Sequence, residues 1–264
     1  MSKPKIKYNF WVSPITPWLL PVVLLLAWHV LTVTGIIPAN KLPQPLQVVK
    51  ELIVSVKSGV LLDNIAISAR RALLGFLIGG GIGFVLGLIN GFSSKAEILM
   101  DSSVQMIRNV PHLALIPLVI MWFGIGEEVK LLLVSLGVFF PIYLNTFHGI
   151  RSIDRGLIEM AKVYGLKGLD LYKEVILPGA LPSILVGIRY SLGIMWLTLI
   201  VAETVAADSG IGYMAMNARE FMQLDITVLS IIIYALLGKL SDSIAKGLER
   251  WLLQWNPNYS VAKK

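Results

Sequence analysis

The sequence predicts an all-α membrane protein with about six transmembrane helices. Three observations carry that expectation. Of 264 residues, 56% are hydrophobic and only 15% charged, with a mean hydropathy of +0.75, which is too apolar for a water-soluble domain. Apolar runs long enough to cross a ~30 Å hydrocarbon core at ~1.5 Å per residue begin near Trp18, Ala72, Val104, Val129, Pro182 and Ile226. Lys and Arg are shared unevenly among the intervening segments, as expected of oriented membrane loops. The chain has no cysteine, hence no disulfide framework and no thiolate metal site. Its formal net charge of +7 flanks the spans, so lipid headgroups rather than nucleic acid are the expected partner.

The first span is Trp18 to Ile37. Lys3, Lys5 and Lys7 before it imitate a signal peptide, but the apolar run is too long and lacks a small-residue cleavage site, so it reads as a retained helix with Trp11 and Trp18 at the interface. His29 has no second His at metal-site spacing and reads as a packed polar residue. A polar stretch follows, with Pro43, Pro45 and a mildly amphipathic segment from Val48 to Val56 on the outer surface. Residues 1–71 therefore form an anchor and surface segment, 72–250 the transmembrane core, and 251–264 a tail.

The second span, Ala72 to Phe92, carries Gly75, Gly79, Gly83, Gly87 and Gly91 on one helical stripe, where a partner helix can approach closely, within the chain or from a second copy. In the third span only Leu113 to Phe123 is purely apolar, about half the required length, and Pro111 and Pro117 interrupt it. Broken helices survive in a membrane only where protein or a watery cavity satisfies the freed backbone groups. Arg108, Asn109, Pro111 and His112 then sit at the mouth of a pore-lining element. Spans four to six are Val129 to Phe147, Pro182 to Ala207 and Ile226 to about Ile244.

Both termini are expected inside. The N-terminus, the loop with Lys95 and Arg108, the loop from Arg151 through Arg155, Lys162, Lys167 and Lys173, and the tail with Lys246, Arg250, Lys263 and Lys264 form one basic set. The loops with Glu127, Glu128, Asp208, Glu220 and Asp225 oppose it. The first loop dissents with Lys41, Lys50, Lys57, Arg70 and Arg71, the last two read as snorkelling at a helix end.

Enzyme chemistry has no foothold in the sequence. There is no G-x-x-x-x-G-K-[ST], no H-E-x-x-H and no G-x-S-x-G, and no cofactor or metal is implied. Charges inside spans are costly and mark candidates. Arg189 and Lys239 can snorkel or pair with Asp242. Glu203, near the outer end of the fifth span beside Thr198 and Thr204, is placed either at a gate, pairing with Arg108 or His112, or in an interhelical contact. Trp196 and Thr198 are expected to face a cavity, completing a candidate path of Arg108, Asn109, His112, Trp196, Thr198 and Glu203.

Between spans four and five lies a charged helical hairpin. Leu157, Met160, Ala161 and Tyr164 recur at helical spacing, with Arg155, Glu159 and Lys162 opposite. Gly165 supplies a left-handed stop, and Pro178 is expected to end the next helix. Glu159-Met160-Ala161, Gly165 and Val175-Ile176-Leu177-Pro178 resemble the EAA loop of binding-protein-dependent ABC importers, with Met160 and Val175 as departures from that pattern. The alternative is an amphipathic helix lying on the membrane. The runs Gln105–Pro117 and Ile200–Thr204 are similar to those of permeases of bacterial aliphatic sulfonate importers. The resemblance implies a type I ABC importer permease fold and a cytoplasmic coupling helix built on Glu159, Met160, Ala161, Tyr164, Gly165 and Pro178. It also implies a second copy of the chain, two cytoplasmic ATPase subunits, an extracytoplasmic substrate-binding protein and the bacterial inner membrane. Taurine, nitrate, bicarbonate and thiamine-precursor pyrimidines are alternative cargoes within the wider family. A secondary transporter or channel would show an inverted repeat, which is not visible.

Overall fold

The computed structural model describes residues 16–256. Lys3, Lys5, Lys7, Trp11, Lys263 and Lys264 lie outside the described residues. Every regular element among the described residues is helical: α1 Thr16–Val33, α2 Pro45–Lys57, α3 Val60–Phe92, α4 Ser94–Arg108, α5 Ile116–Phe123, α6 Glu127–Arg151, α7 Arg155–Val163, α8 Gly168–Leu171, α9 Leu177–Ala206, α10 Ile211–Glu220 and α11 Leu224–Leu252.

The count of about six spans resolves differently. Among the described residues, four helices are long and apolar enough to cross a membrane: α3, α6, α8 running on into α9, and α11. A fifth span arises if the bent pair, Ser94–Arg108 with His112–Phe123, is one crossing. The first apolar helix is shorter than expected, because Gly35 at φ +75° sits in the turn that follows Val33. Its side chains are exposed nearly all round, from Trp18 through Leu26, a distribution that suits lipid and not water.

The helix α6 is the hub, with α3 on one flank and α9 on the other. Lipid tails are as apolar as Leu, so helices in a membrane associate through close packing rather than through exclusion of water. The glycine stripe of α3 provides that closeness within the chain. Gly79 lies against the Ser135 backbone, Gly83 against Phe139, Gly87 against Thr146 and Gly91 against Ile150. The same device, unnoticed in the sequence, joins α6 to α9: Gly137 under Thr198 and Ile194, Gly149 under Ser183, and Gly187 under Asn145. Polar cross-links add specificity at both seams, with Ser135 Oγ donating to Gly75 O of α3 at 3.1 Å and Ser183 Oγ of α9 to Asn145 O at 2.7 Å.

The amphipathic segment expected from Val48 to Val56 is α2, whose Val48 and Ser55 are buried. Trp28 Nε1 of α1 donates to Pro43 O at 2.9 Å, tying the first helix to the entry of α2. The loop after α9 contains a helix not foreseen in the sequence, α10, held through buried Ile211, Met214 and Ala218.

The stripe makes a sharp prediction. A Cβ on Gly79 would stand 2.1 Å from Ser135 O, whereas one on Gly81 would meet nothing within 4 Å. Gly79→Ala is expected to destabilise the protein by about 1–3 kcal/mol through overpacking. Gly81→Ala should be neutral or stabilising by up to ~1 kcal/mol. Thermal melts of both variants in one detergent measure the contrast.

Candidate functional site

The hairpin between α6 and α9 is built as a closed unit. Asp154 caps α7, its Oδ1 accepting from Gly156 N at 2.8 Å. At the other end Gly165 takes φ +90°, Gly165 N donates to Lys162 O at 3.0 Å, and Leu166 N reaches back to Ala161 O at 3.1 Å. These two bonds satisfy carbonyls that a helix end otherwise leaves free, and they need the left-handed residue that glycine supplies. Of the expected apolar face only Ala161 is buried; Leu157, Met160 and Tyr164 are exposed, together with Val163 at 86% and the charged Glu159 and Lys162. Ala161 and the half-buried Ile158 face the protein, and the three larger apolar side chains are turned outward. The hairpin thus offers a protruding apolar surface fixed on a small inward contact.

Pro178 does not end a helix. A widened π turn, Tyr172–Ile176, in which Leu177 N bonds Tyr172 O, leads directly into α9, and Pro178 lies in the first turn of α9. There the missing N–H is tolerated. Tyr172 also packs edge-on against Phe92 at the end of α3, with ring centroids 5.1 Å apart.

The third span is broken where the prolines predict. Its two helical pieces are bent by 77°, joined by Asn109 to Pro111 and a 3₁₀ turn, His112–Leu115. His112 Nε2 lies 3.2 Å from Thr198 Oγ1, and both groups stand over Gly137. Two of the expected path residues therefore meet. Arg108 and Asn109 are exposed and join neither. Trp196 is buried rather than cavity-facing: its Nε1 donates to Ser241 Oγ at 2.8 Å and its ring meets Tyr234 edge-on. Its indole finds its one acceptor inside the protein.

Glu203 pairs with neither Arg108 nor His112. It is 1% exposed and accepts from Arg71 Nη1, Gly212 N and Tyr234 OH, each at 2.9 Å, and from Ser68 Oγ at 2.8 Å. Arg71 does not snorkel. Its guanidinium forks onto Glu127 at 2.7 and 2.5 Å and reaches Ser209 O at 2.6 Å, and buried Lys130 holds the same Glu127 at 3.0 Å. The turn before α10 folds over this group, with Asn64 Oδ1 accepting from Gly210 N at 2.7 Å and Ser68 Oγ from Ile211 N at 2.9 Å. A signal was available: Asn64, Ser68 and Arg71, at steps of four and three, form a polar stripe on an otherwise apolar helix. Deeper along α9, Arg189 Nε donates to Asp242 Oδ1 at 2.7 Å, the pairing expected from the sequence. Among the described residues no group of three acidic or imidazole side chains is arranged to hold a metal ion.

The sequence profile of the family described as binding-protein-dependent transport system inner membrane component matches residues 79–254, most of this helical core. The chain belongs to that family. Among its relatives, the putative aliphatic sulfonates transport permease protein SsuC of Escherichia coli is 59% identical over 95% of both chains, and its namesake in Bacillus subtilis is 48% identical over 98% of this chain and 92% of its own. The taurine transport system permease protein TauC of E. coli is 34% identical over 89% of this chain and 87% of its own. The fold is shared with solved structures. An amino acid ABC transporter chain aligns with TM-score 0.63 at 17% identity, covering 75% of this chain and 97% of its own. A MetNI methionine transporter chain aligns at 0.51 and 21% identity, covering 67% of this chain and 93% of its own. This is a multi-pass ABC permease of the type I importer fold, a subunit that is not itself catalytic. Such a subunit implies ATPase and substrate-binding partners.

In this permease the Arg71–Glu203 pair ties α3 to α9 inside the protein. A buried ion pair that loses one partner leaves the other charge uncompensated, at a cost of about 3–5 kcal/mol. Arg71→Met is expected to lower thermal stability by that order, whereas Arg70→Met, at an exposed position, should change it by less than ~0.5 kcal/mol. Melting of the two purified variants side by side is the check.

Proposed function

We propose that this permease carries aliphatic sulfonates inward as one half of a homodimer. Two ATPase subunits dock on the α7 hairpins, and an extracytoplasmic binding protein delivers the anion to the opposite side. The observation that carries the cargo is the identity of about half or more, over nearly the whole chain, to two permeases named for aliphatic sulfonates. The lower identity to a taurine permease keeps taurine, itself a sulfonate, as the second reading.

On this reading the exposed Leu157, Met160, Val163 and Tyr164 enter a groove of the ATPase, with Glu159 and Lys162 at the rim. The Schellman closure at Gly165 holds the angle between α7 and the run into α9, so ATPase motion reaches the span through a stiff contact. Both termini then lie in the cytoplasm, in the bacterial inner membrane. The His112–Thr198 contact fixes the broken third span against the buried side of α9, while Arg108 and Asn109 present donors at the mouth of the path.

Three outcomes are expected. A strain lacking this gene should fail on ethanesulfonate as sole sulfur source while growing on sulfate, and equal growth of the two strains would sink the sulfonate cargo. A Cβ at Gly165 meets open space, yet the residue's φ of +90° excludes a branched side chain without strain. Gly165→Val should therefore fold and assemble poorly with the ATPase, losing at least tenfold in uptake, and normal uptake would remove the docking role. In intact cells Lys57→Cys should react with an impermeant thiol reagent and Lys167→Cys should not; the reverse pattern inverts the topology.

A further inference from the structure

The helix α9 has two faces. One holds Trp196, Thr198 and Glu203 and is sealed into the protein. The other, Val186, Tyr190, Gly193 and Leu197, recurs at steps of three and four residues and is exposed. With Ile194, and with Gly238 and Asp242 of α11, this stripe walls a cavity of about 490 Å³, within the ~300–1,000 Å³ range of small-molecule sites. A Cβ on Gly193 or Gly238 would meet nothing within 4 Å. Both glycines contribute space, not packing.

The only charged groups in that wall are Arg189 and Asp242. Arg189 spends its Nε on Asp242, and its Nη1 stands 3.7 Å from Glu249 Oε2, beyond hydrogen-bond range. Among the described residues, the two terminal amino groups of the guanidinium have no hydrogen-bond acceptor. Asp242 is better supplied, with Lys246 Nζ at 2.8 Å and Lys239 Nζ at 3.8 Å. If the guanidinium turns away, the carboxylate keeps two cations. Locally three cations, Arg189, Lys239 and Lys246, face two carboxylates, Asp242 and Glu249.

We propose that this cavity is the transit site for the anion, with Arg189 as its headgroup ligand and the α9 stripe as the bed of its alkyl tail. The proposal rests on the sulfonate reading above and deepens it. A sulfonate is a permanent anion with three acceptor oxygens, and a planar guanidinium can take two of them in parallel. An aliphatic tail fits the apolar wall formed by Tyr190, Gly193, Ile194 and Leu197. Asp242 competes for the same guanidinium, which keeps the anion weakly held and lets it leave, as transport requires. An anionic membrane lipid is the competing occupant, and water access to the cavity separates the two.

The chain has no native cysteine, so Gly193→Cys places a single thiol in the cavity. In the assembled transporter without nucleotide, this thiol should react with the anionic reagent sulfonatoethyl methanethiosulfonate. Relative to a free thiol, the anionic reagent should be favoured over the cationic trimethylammonium analogue by about tenfold, the size of a screened unit-charge interaction at this range. Adding Arg189→Gln should abolish that preference, Arg189→Lys should retain it, and ethanesulfonate should slow the labelling. Gly193→Leu should cut ethanesulfonate uptake at least tenfold in proteoliposomes while leaving ATPase stimulation by the loaded binding protein measurable. A thiol unreactive toward both hydrophilic reagents faces lipid and overturns the proposal, as does a charge preference indifferent to Arg189. Charge-selective labelling of the Gly193→Cys protein, alongside a wild-type transporter that moves no sulfonate, keeps the anion cavity and removes the sulfonate cargo.

Discussion

The carboxylate of Glu203, buried near the C-terminal end of α9, is the constraint around which the helices are arranged. In a medium of low dielectric an isolated carboxylate is prohibitive, so it must be met by a cation and by enough donors to occupy its oxygens. Here the donors come from separate elements: Ser68 and Arg71 of α3, Gly212 of α10 and Tyr234 of α11. Arg71 adds Glu127 at the start of α6. Because each partner fills a different position about one charge, the registers of α3, α6, α9, α10 and α11 are fixed together. Gly210, at φ +103°, is needed because a Cβ there would stand 2.3 Å from the Glu203 carboxylate.

Below this joint the helices are held by contact. The glycines of α3, α6 and α9 let backbones meet at distances that side chains would forbid, so dispersion forces act over long seams. The two modes are complementary: small residues allow approach along any register, and the charged group at one end selects which register is used. At the opposite end Arg151 pairs with Glu97 and Tyr172 meets Phe92, so α4, α6, the hairpin and α3 are also connected there.

Much of this was legible in the chain. The glycine repeat, the two prolines of the third span and Gly165 each announce a backbone event, and backbone events are local. What was not legible is the azimuth at which helices face one another. The period of α9 puts Trp196 and Glu203 a fixed rotation apart from Gly193 and Leu197, but it does not say which side meets α10 and α11. The sequence alone thus points Trp196 at a cavity and leaves Glu203 between a gate and an interhelical contact, whereas both side chains lie in the interior. Arg71 read as a snorkelling end residue because α3 was taken to start at Ala72; its true start at Val60 puts the guanidinium a full three turns inside the helix. Pro178 reads as a terminator because nothing in the sequence marks the π turn that lets the hairpin flow into α9.

That continuity has a mechanical consequence. From Gly168 to Ala206 the backbone is one helical run of 39 residues, about 58 Å at ~1.5 Å per residue, with the hairpin at one tip and the Glu203 joint near the other. Along its length Gly149, Gly187 and Gly137 seat it against α6, as a rod is held on a fulcrum. Tilting such a rod by ~10° moves one tip relative to the other by about 10 Å, the width of a helix. With its middle held, a displacement at the hairpin tip arrives at the far tip as a swing of opposite sense.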